Sequence, residues 1–262
     1  MPYYETHAHP DHELVESQTE YVSKMREAGI VRMVVAPITY ESNYTSMELF
    51  PAKEYPEVLF AKGLHPKCAT NTALWNRERK EEFRKLLSDP RVVALKSGID
   101  LCKKKLQPNQ IQRQFEFLQM FMDMAEEVKL PLVLHIREAA ETTLSYLMEH
   151  PLKSEAAIHC FVYDKDLMQQ FIDAGVHYFG IGGMITRSEN DALREAVKEM
   201  PLSMILLESD APFVRIEGET AGLNSSDIAL PATAKKIAEL KGVSVEEVIQ
   251  ATYENACRFF GK

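Results

Sequence analysis

Residues 91–135 read RVVALKSGIDLCKKKLQPNQIQRQFEFLQMFMDMAEEVKLPLVLH, and this stretch decides the fold. It begins with a short apolar run, RVVALK (91–96), and ends with a second one, LPLVLH (130–135). Between them, over Ile111–Val128, apolar residues recur at the spacing of one helix face. A strand, a long helix and a second strand predict two parallel strands joined by a crossover helix.

The same unit recurs along the whole chain. The predicted strands are Tyr3–His7, 30–37, 57–65, 91–96, 130–135, 155–160, 176–182 and 203–209. The predicted helices are Gln18–Ala28, Glu41–Lys53, Leu74–Leu87, Ile111–Val128, Ala139–Met148, Asp166–Ala174, Glu189–Glu199, Ile228–Leu240 and Val245–Phe260. Eight strand–helix units predict an α/β protein with a (β/α)₈ TIM barrel as a single domain over residues 1–262. A doubly wound open sheet is the alternative, but no GxGxxG motif follows the first strand.

Composition and charge limit the class of protein. The 262 residues carry a net charge of −9, which argues against passive attraction to nucleic acid or membrane but leaves a local basic patch open. Four cysteines without a CxxC pair favour free thiols in a reducing compartment. No signal peptide is apparent before the first strand, and no apolar run reaches the ~18–20 residues of a membrane span. We therefore expect a cytoplasmic protein without membrane contact.

Reactive side chains collect where the predicted strands end, which is where a (β/α)₈ barrel concentrates its chemistry. These residues are His7 and His9 (first strand), His65 (third), Lys96 (fourth), His135 (fifth), His159 (sixth) and Asp210 (after the eighth). An HxH pair alone is weak, a lone histidine is usually structural, and an aspartate before proline can be a turn cap. Their joint placement nevertheless predicts a divalent-metal site. The other histidines, His12, His150 and His177, are interpreted as structural or solvated.

Five motifs resemble a known family. They are ETHAHPD at residues 5–11, GLHP at 63–66, LPLVLHIREA at 130–139, IHCF at 158–161 and LLESDAPF at 206–213. In order and spacing they are similar to the TatD family of metal-dependent hydrolases, within the amidohydrolase superfamily. The closing IAELKGVSVEEVIQATYENACRFFG is also similar to the family's C-terminal helices. The resemblance implies a (β/α)₈ barrel with one or two divalent metals. It also implies phosphodiester hydrolysis, often as a deoxyribonuclease.

The resemblance also implies roles for individual residues. His7, His9 and Asp210 match the ligands of one metal, and His135 and His159 match those of the other. His65 and Arg137 match positions near the substrate phosphate, so the expected catalytic residues are Asp210, His65 and Arg137. Asp210 is expected both to ligate and to accept the proton of the attacking water. Imidazoles and carboxylates suit zinc, manganese, iron or nickel, and magnesium is also expected as a candidate.

Two positions depart from the family pattern. Glu5 stands where the family usually has aspartate, a mild change. Lys96 stands where the family usually has a glutamate that bridges the metals. As an ammonium, Lys96 would repel a dication, which leaves a one-metal site or a pairing with Asp210 or a substrate phosphate. As a neutral amine it could take up CO₂, and the carbamate could then bridge two metals. A third interpretation gives it no role, and the carbamate is the prediction.

The substrate class stays open between three interpretations. The first is a phosphodiester, including DNA at the active site; the second is a small-molecule ester, amide or lactone; the third is a weakened barrel that binds an anion. Basic residues of the predicted mouth loops either attract a polyanion or are solvated loop charges: Lys67, Lys103, Lys104, Lys105, Lys165, Arg187 and Arg215. Phe161, Tyr163 and Phe213 are candidate surfaces for stacked bases. The sequence does not indicate an oligomeric state.

Overall fold

A computed structural model describes residues 1–69, 75–102, 106–219 and 225–262 of the chain. Its eight strands form one sheet in sequence order, and each neighbouring pair is parallel. The strands are β1 (Tyr3–Ala8), β2 (Ile30–Val35), β3 (Val58–Gly63), β4 (Val92–Asp100), β5 (Leu132–Arg137), β6 (Ala156–His159), β7 (Tyr178–Ile181) and β8 (Ile205–Leu207). The predicted α/β class and (β/α)₈ TIM barrel are therefore confirmed.

Helices alternate with the strands along the chain, and two helices follow β8. They are α1 (Gln18–Glu27), α2 (Ser42–Leu49), α3 (Arg77–Leu86), α4 (Pro108–Val128), α5 (Ala140–Glu149), α6 (Lys165–Asp173), α7 (Asp191–Glu199), α8 (Ser226–Lys241) and α9 (Val245–Phe260). The predicted helix 41–53 was too long at its end, because Pro51 has no N–H to continue the helix and disfavours helical backbone before it. Within the described ranges, no helix has both the length and the apolarity needed to cross a bilayer.

The seam between β8 and β1 closes the barrel and positions three site residues. The amide of Asp210 donates to the carbonyl of His7 at 2.9 Å, and the amide of His9 donates to the carbonyl of Ala211 at 2.7 Å. Lower on the seam, Thr6 Oγ1 donates to the carbonyl of Leu207 at 3.0 Å. Because the chain continues this pairing past the end of β8, residues at opposite ends of the sequence become neighbours at the mouth.

Side chains fill the barrel, and its lower end is plugged. Alternate strand residues such as Val34, Leu59 and Val133 pack in a buried cluster with residues of α9. Phe260 stacks on Tyr4 with ring centroids 5.8 Å apart, near the start of β1. Helix α9 therefore closes the end at which the strands begin, and the opposite end stays open as the mouth.

Strand β4 is longer than its sequence predicts. The apolar run ends at Lys96, but the strand continues to Asp100 and pairs with β5 as far as Arg137. The extension depends on Gly98, where an added Cβ would lie 1.9 Å from the carbonyl oxygen of His135. Lys96 therefore lies inside the barrel rather than at the strand end, and Asp100 takes the end position.

Candidate metal centre at the barrel mouth

His7, His9 and Asp210 converge at the mouth. Asp210 Oδ1 lies 3.2 Å from His9 Nε2 and 3.9 Å from His7 Nε2. One potential ligand atom from each residue lies within 4.8 Å of those of the other two. The seam explains this arrangement, because its backbone hydrogen bonds join the segment of Asp210 to that of the two histidines. The sequence predicted that these three side chains meet, and the structure brings them together.

Glu5 supports this group from below. Its Oε1 accepts hydrogen bonds from the amides of His7 and Ser209, both at 3.0 Å, and so ties β1 to the segment after β8. Burial raises the pKa of Glu5 to about 7, and the hydrogen bonds that it accepts lower the pKa only in part. Sequence reasoning treated Glu5 only as a mild departure from a family pattern. Its anchoring role depends on the seam, which the local sequence does not reveal.

His135 and His159 form the second predicted ligand pair. His135 Nδ1 lies 2.8 Å from His159 Nε2, and the two residues are register partners on β5 and β6. The other ring nitrogen of His135 lies 3.4 Å from Asp100 Oδ2. The ring of His159 lies parallel to that of His7, with centroids 3.8 Å apart. The four imidazoles of both predicted ligand sets therefore share one buried cluster.

These imidazoles are held in the neutral form. Burial lowers the pKa of His7, His9, His135 and His159, and Lys96 lowers it further in each case. Neutral imidazole is the form that ligates a metal ion. Burial, the largest cause in each case, therefore favours the form of these side chains that can bind a metal ion.

Two carboxylates beside the histidines were not predicted as site residues. A carboxylate oxygen of Asp100 lies within 4.8 Å of ring nitrogens of His65 and His135. A carboxylate oxygen of Glu208 lies within 4.8 Å of ring nitrogens of His7 and His159. Burial opposes the ionisation of Asp100, but hydrogen bonds from His135 and the Cys102 amide hold its pKa well below the usual range. Asp100 had a detectable signal, because it is a polar residue shortly after a predicted strand end.

Glu208 directly follows β8, and its side chain lies against β6 and β7. Its Oε1 accepts a hydrogen bond from the Cys160 amide at 2.6 Å and lies 3.9 Å from His159 Nδ1. Burial raises the pKa of Glu208 well above its usual value, and Asp210 raises it further. Gly180 makes the room, because an added Cβ there would lie 2.0 Å from Glu208 Oε2. Glu208 lies close to the histidines because of packing across the barrel, which local sequence patterns do not reveal.

Lys96 lies inside the histidine cluster. Its Nζ is 3.0 Å from His7 Nε2, and the residue is 1% exposed. Burial lowers the pKa of Lys96 to about 8, although Asp210 and Glu208 favour its charged form. Lysine is almost never buried without a partner, so this amine belongs to the site.

The cleft above the cluster has a volume of about 240 Å³. Its lining includes the predicted ligands other than His7, together with Ile38, His65, Lys67, Arg137 and Phe213. His65 Nδ1 accepts from the Lys67 amide at 3.2 Å, which leaves its Nε2 as the other donor or acceptor. The Arg137 side chain is exposed at the rim.

The predicted basic residues of the mouth do not act as one set. Lys67 Nζ lies 3.4 Å from Asp100 Oδ2, and the exposed Lys165 pairs with Glu199 on α7 at 3.6 Å. Arg187 Nε donates to the carbonyl of Arg215 at 3.2 Å. Lys103, Lys104 and Lys105 lie outside the described residues. A continuous basic track is therefore not a feature of the described residues.

The donor atoms fit a divalent cation. Asp210 Oδ1 is buried without a well-aligned hydrogen bond within the part of the chain that the structure describes, although His9 Nε2 lies 3.2 Å away. Two neutral imidazoles and this carboxylate oxygen are the ligand types that zinc and similar ions bind. A cation between them would satisfy the orphaned oxygen.

Comparison with known proteins gives a consistent result. The model of the family described as TatD related DNase matches residues 4–261. An uncharacterized metal-dependent hydrolase, YabD of Bacillus subtilis, is 30% identical over 260 residues, which are 98% of each chain. The 3'-5' ssDNA/RNA exonuclease TatD of Erwinia amylovora is 27% identical over 95% of each chain. The crystal structure of YJJV, a TatD homolog from Escherichia coli, has 25% identity and a TM-score of 0.86, covering 99% of this chain and 98% of that one.

Proposed function

This chain belongs to the TatD-related DNase family of metal-dependent hydrolases, and from that premise we propose that it hydrolyses phosphodiester bonds at the mouth of its barrel. The observation that carries the proposal is the convergence of His7, His9 and Asp210 beside His135 and His159. His7 and His9 lie near the start of the chain, whereas Asp210 follows the last strand. A purely structural cluster would not require so many neutral ligand groups around one cleft.

In this proposal, His7, His9 and Asp210 would hold one divalent ion, and His135 and His159 would hold a second. A divalent ion bound there supplies Lewis acidity and lowers the pKa of a coordinated water toward ~7. Zinc, manganese, iron, nickel and magnesium all remain in the proposal, because ligand type alone does not select among them.

The chain's own groups orient the substrate and move the proton. Arg137, exposed at the rim, forms two parallel hydrogen bonds to the non-bridging oxygens of the scissile phosphate. His65, anchored through Nδ1 by the Lys67 amide, presents its Nε2 to the same phosphate. The Asp210 carboxylate accepts the proton of the attacking water.

For Lys96, we propose that its Nζ carries a carbamate. The unprotonated amine forms a bond to the carbon of CO₂, one oxygen takes the displaced electron pair, and the nitrogen releases a proton to water. Two features support this: Nζ reaches into the ligand cluster, and Lys96 lines a cleft of about 240 Å³ with room for three more atoms. The carbamate would supply the bridging anion that the family usually takes from a glutamate.

The experiment starts from purified protein that is stripped with a chelator and reloaded with one metal at a time. Each form is assayed with bis-p-nitrophenyl phosphate, a single-stranded DNA oligonucleotide and a panel of lactones. We expect turnover of the two phosphodiesters that returns only on reloading. Turnover of lactones alone would replace the proposal with the ester-hydrolase interpretation. No turnover in a folded, metal-loaded protein would favour a barrel that binds an anion.

A further inference from the structure

A second cavity adjoins the metal cleft, and its outer part has no role in the chemistry proposed above. Its volume is about 350 Å³, which lies within the usual ~300–1,000 Å³ of small-molecule sites. The two cavities share the following lining residues: His135, Arg137, His159, Asp210 and Phe213. Its outer part is lined by Val162, Met184, Arg187, Phe213 and Val214, and we call this part the side pocket. A ligand at the metal cleft can therefore extend into the side pocket.

Phe213 gives the side pocket an exposed aromatic face. The residue is 43% exposed, although large apolar side chains are usually buried, and the nearby Val162 is 37% exposed. The Phe213 ring packs against the rings of His9 and His12, with centroids 5.1 and 4.9 Å away. Its amide donates to the Asp210 carbonyl at 2.9 Å, which fixes its position relative to a proposed ligand. This is the arrangement of a stacking platform for a planar ring.

The other two predicted aromatic candidates do not provide such a surface. Phe161 is 1% exposed and packs edge-on against Phe179 in the core. Tyr163 is half-buried, and its hydroxyl donates to the carbonyl of Ile136 at 3.0 Å. Among the three, Phe213 alone presents its ring to the cleft.

Two guanidinium groups frame the side pocket. Arg187 lines it, Arg137 lines the part of the cavity that is shared with the metal cleft, and neither has a carboxylate within 4.0 Å among the described residues. By contrast, Arg84 on the outer helices pairs with Glu127 at 3.0 Å. Arg187 uses its Nε on a backbone carbonyl, which positions the group and leaves its terminal nitrogens as donors. In a protein of net charge −9, guanidinium groups without acidic partners at a cleft indicate an anionic ligand.

We infer that the side pocket binds the nucleoside unit next to the scissile phosphate, with its base on Phe213 and its second phosphate on Arg187. This inference rests on the proposed phosphodiesterase function and adds the recognition of a second anion to it. Val162, Met184 and Val214 surround the base with apolar surface. A base inside a duplex is paired and stacked, so only an unpaired unit can enter. The smallest ligand that makes all of these contacts is therefore a nucleoside that carries two phosphates.

The test is calorimetric binding to the metal-loaded protein, with four probes. They are inorganic phosphate, thymidine 5′-monophosphate, thymidine 3′-monophosphate and thymidine 3′,5′-bisphosphate. For the wild type we expect the bisphosphate to bind more tightly than either monophosphate, and the better monophosphate more tightly than phosphate. Phe213→Ala should lower the affinity for the nucleotides by about 5- to 150-fold relative to that for phosphate, which is the range expected for the loss of one base–aromatic stack. Phe213→Tyr, which keeps the ring, should restore binding.

Arg187→Gln tests the second phosphate contact separately. It should remove the advantage of the bisphosphate over the monophosphates while Arg84→Gln, on the outer helices, leaves the whole series unchanged. Equal weakening of all four probes in both side-pocket variants would overturn the inference, as would a wild type that binds the bisphosphate no more tightly than phosphate. Because binding is measured, failure of the proposed function appears separately, as intact binding without hydrolysis of thymidine 5′-(p-nitrophenyl phosphate).

Discussion

The Nζ atom of Lys96 lies 3.0 Å from Nε2 of His7, inside the group of proposed metal ligands. A lysine ammonium here would donate a hydrogen bond to His7 Nε2, the nitrogen that would otherwise bind the metal ion. It would also oppose the cation itself, since two like unit charges 4 Å apart repel by about 4 kcal/mol at a protein-like dielectric. An ammonium at this position therefore disfavours a two-metal centre, whereas the carbamate that we propose for Lys96 would remove the positive charge.

We predict that metal-loaded protein equilibrated with ¹³C-bicarbonate shows a carbamate carbon by NMR. The signal should vanish in Lys96→Ala and persist in Lys62→Met, which removes a second lysine that is deeply buried among the described residues. Lys96→Glu should keep two metals per chain without depending on bicarbonate. Absence of the signal, with about one metal per chain by elemental analysis, would instead indicate a cationic Lys96.

Arg137→Lys should weaken phosphate recognition specifically. A guanidinium offers two parallel donors to a phosphate, whereas an ammonium acts as a point charge. We expect KM for bis-p-nitrophenyl phosphate to rise by about 10-fold, equivalent to one lost hydrogen bond to a charged group. Any lactone that is turned over should change by less than about 2-fold. The matched control is Arg84→Lys on α3, and a similar change for both substrates in Arg137→Lys would remove this residue from phosphate binding.

Lys62 should make stability depend on pH. Its Nζ is buried and donates to the carbonyl of Asn43 and to Ser46 Oγ, beside the ring of Phe60. Burial lowers its pKa from 10.5 to about 7, so the folded protein releases this proton near pH 7. The unfolded chain keeps the proton until about pH 10.5 and thus binds more protons between these values. The free energy of unfolding therefore rises with pH in this window, by at most about 1.4 kcal/mol per pH unit from this group.

Urea unfolding at pH 7, 8 and 9 measures this dependence. Lys62→Met should flatten the increase relative to wild type, and Lys85→Met, at an exposed position on α3, should not. A wild-type gradient that survives unchanged in Lys62→Met would assign the pH dependence to other groups.

Strand-end histidines were predictable, because parallel strands of a barrel bring their carboxyl ends to one mouth. This rule alone places His135 beside His159 on adjacent strands and His65 at the same mouth. The contact of Asp210 with His9 required the β1–β8 seam, which is formed by residues about 200 positions apart. The family resemblance supplied that pairing before the seam was visible.

The remaining site residues depend on packing that local patterns do not encode. Glu5 and Glu208 are buried beneath the histidines, and their partners come from neighbouring strands and from across the seam. Strand β4 extends beyond Lys96 because Gly98 approaches β5 closely. The apolar run in the sequence ends at Lys96 and therefore does not predict this extension. Phe213 could be proposed from sequence, but only its exposed position beside His9 distinguishes it from a core residue.

The most direct measurement of the central claim is the double substitution of His7 and His9 by alanine, followed by elemental analysis and a phosphodiesterase assay on the same sample. Both side chains are buried but serve the mouth, and their Nδ1 atoms have no hydrogen-bond partner among the described residues, so we expect the fold to persist by circular dichroism. The His150→Ala variant is the matched control. We expect loss of metal and a loss of bis-p-nitrophenyl phosphate hydrolysis of at least about 100-fold, since mutating only the groups that orient metal ligands already costs about 10- to 100-fold. Unchanged metal content and turnover in the folded double variant would contradict it.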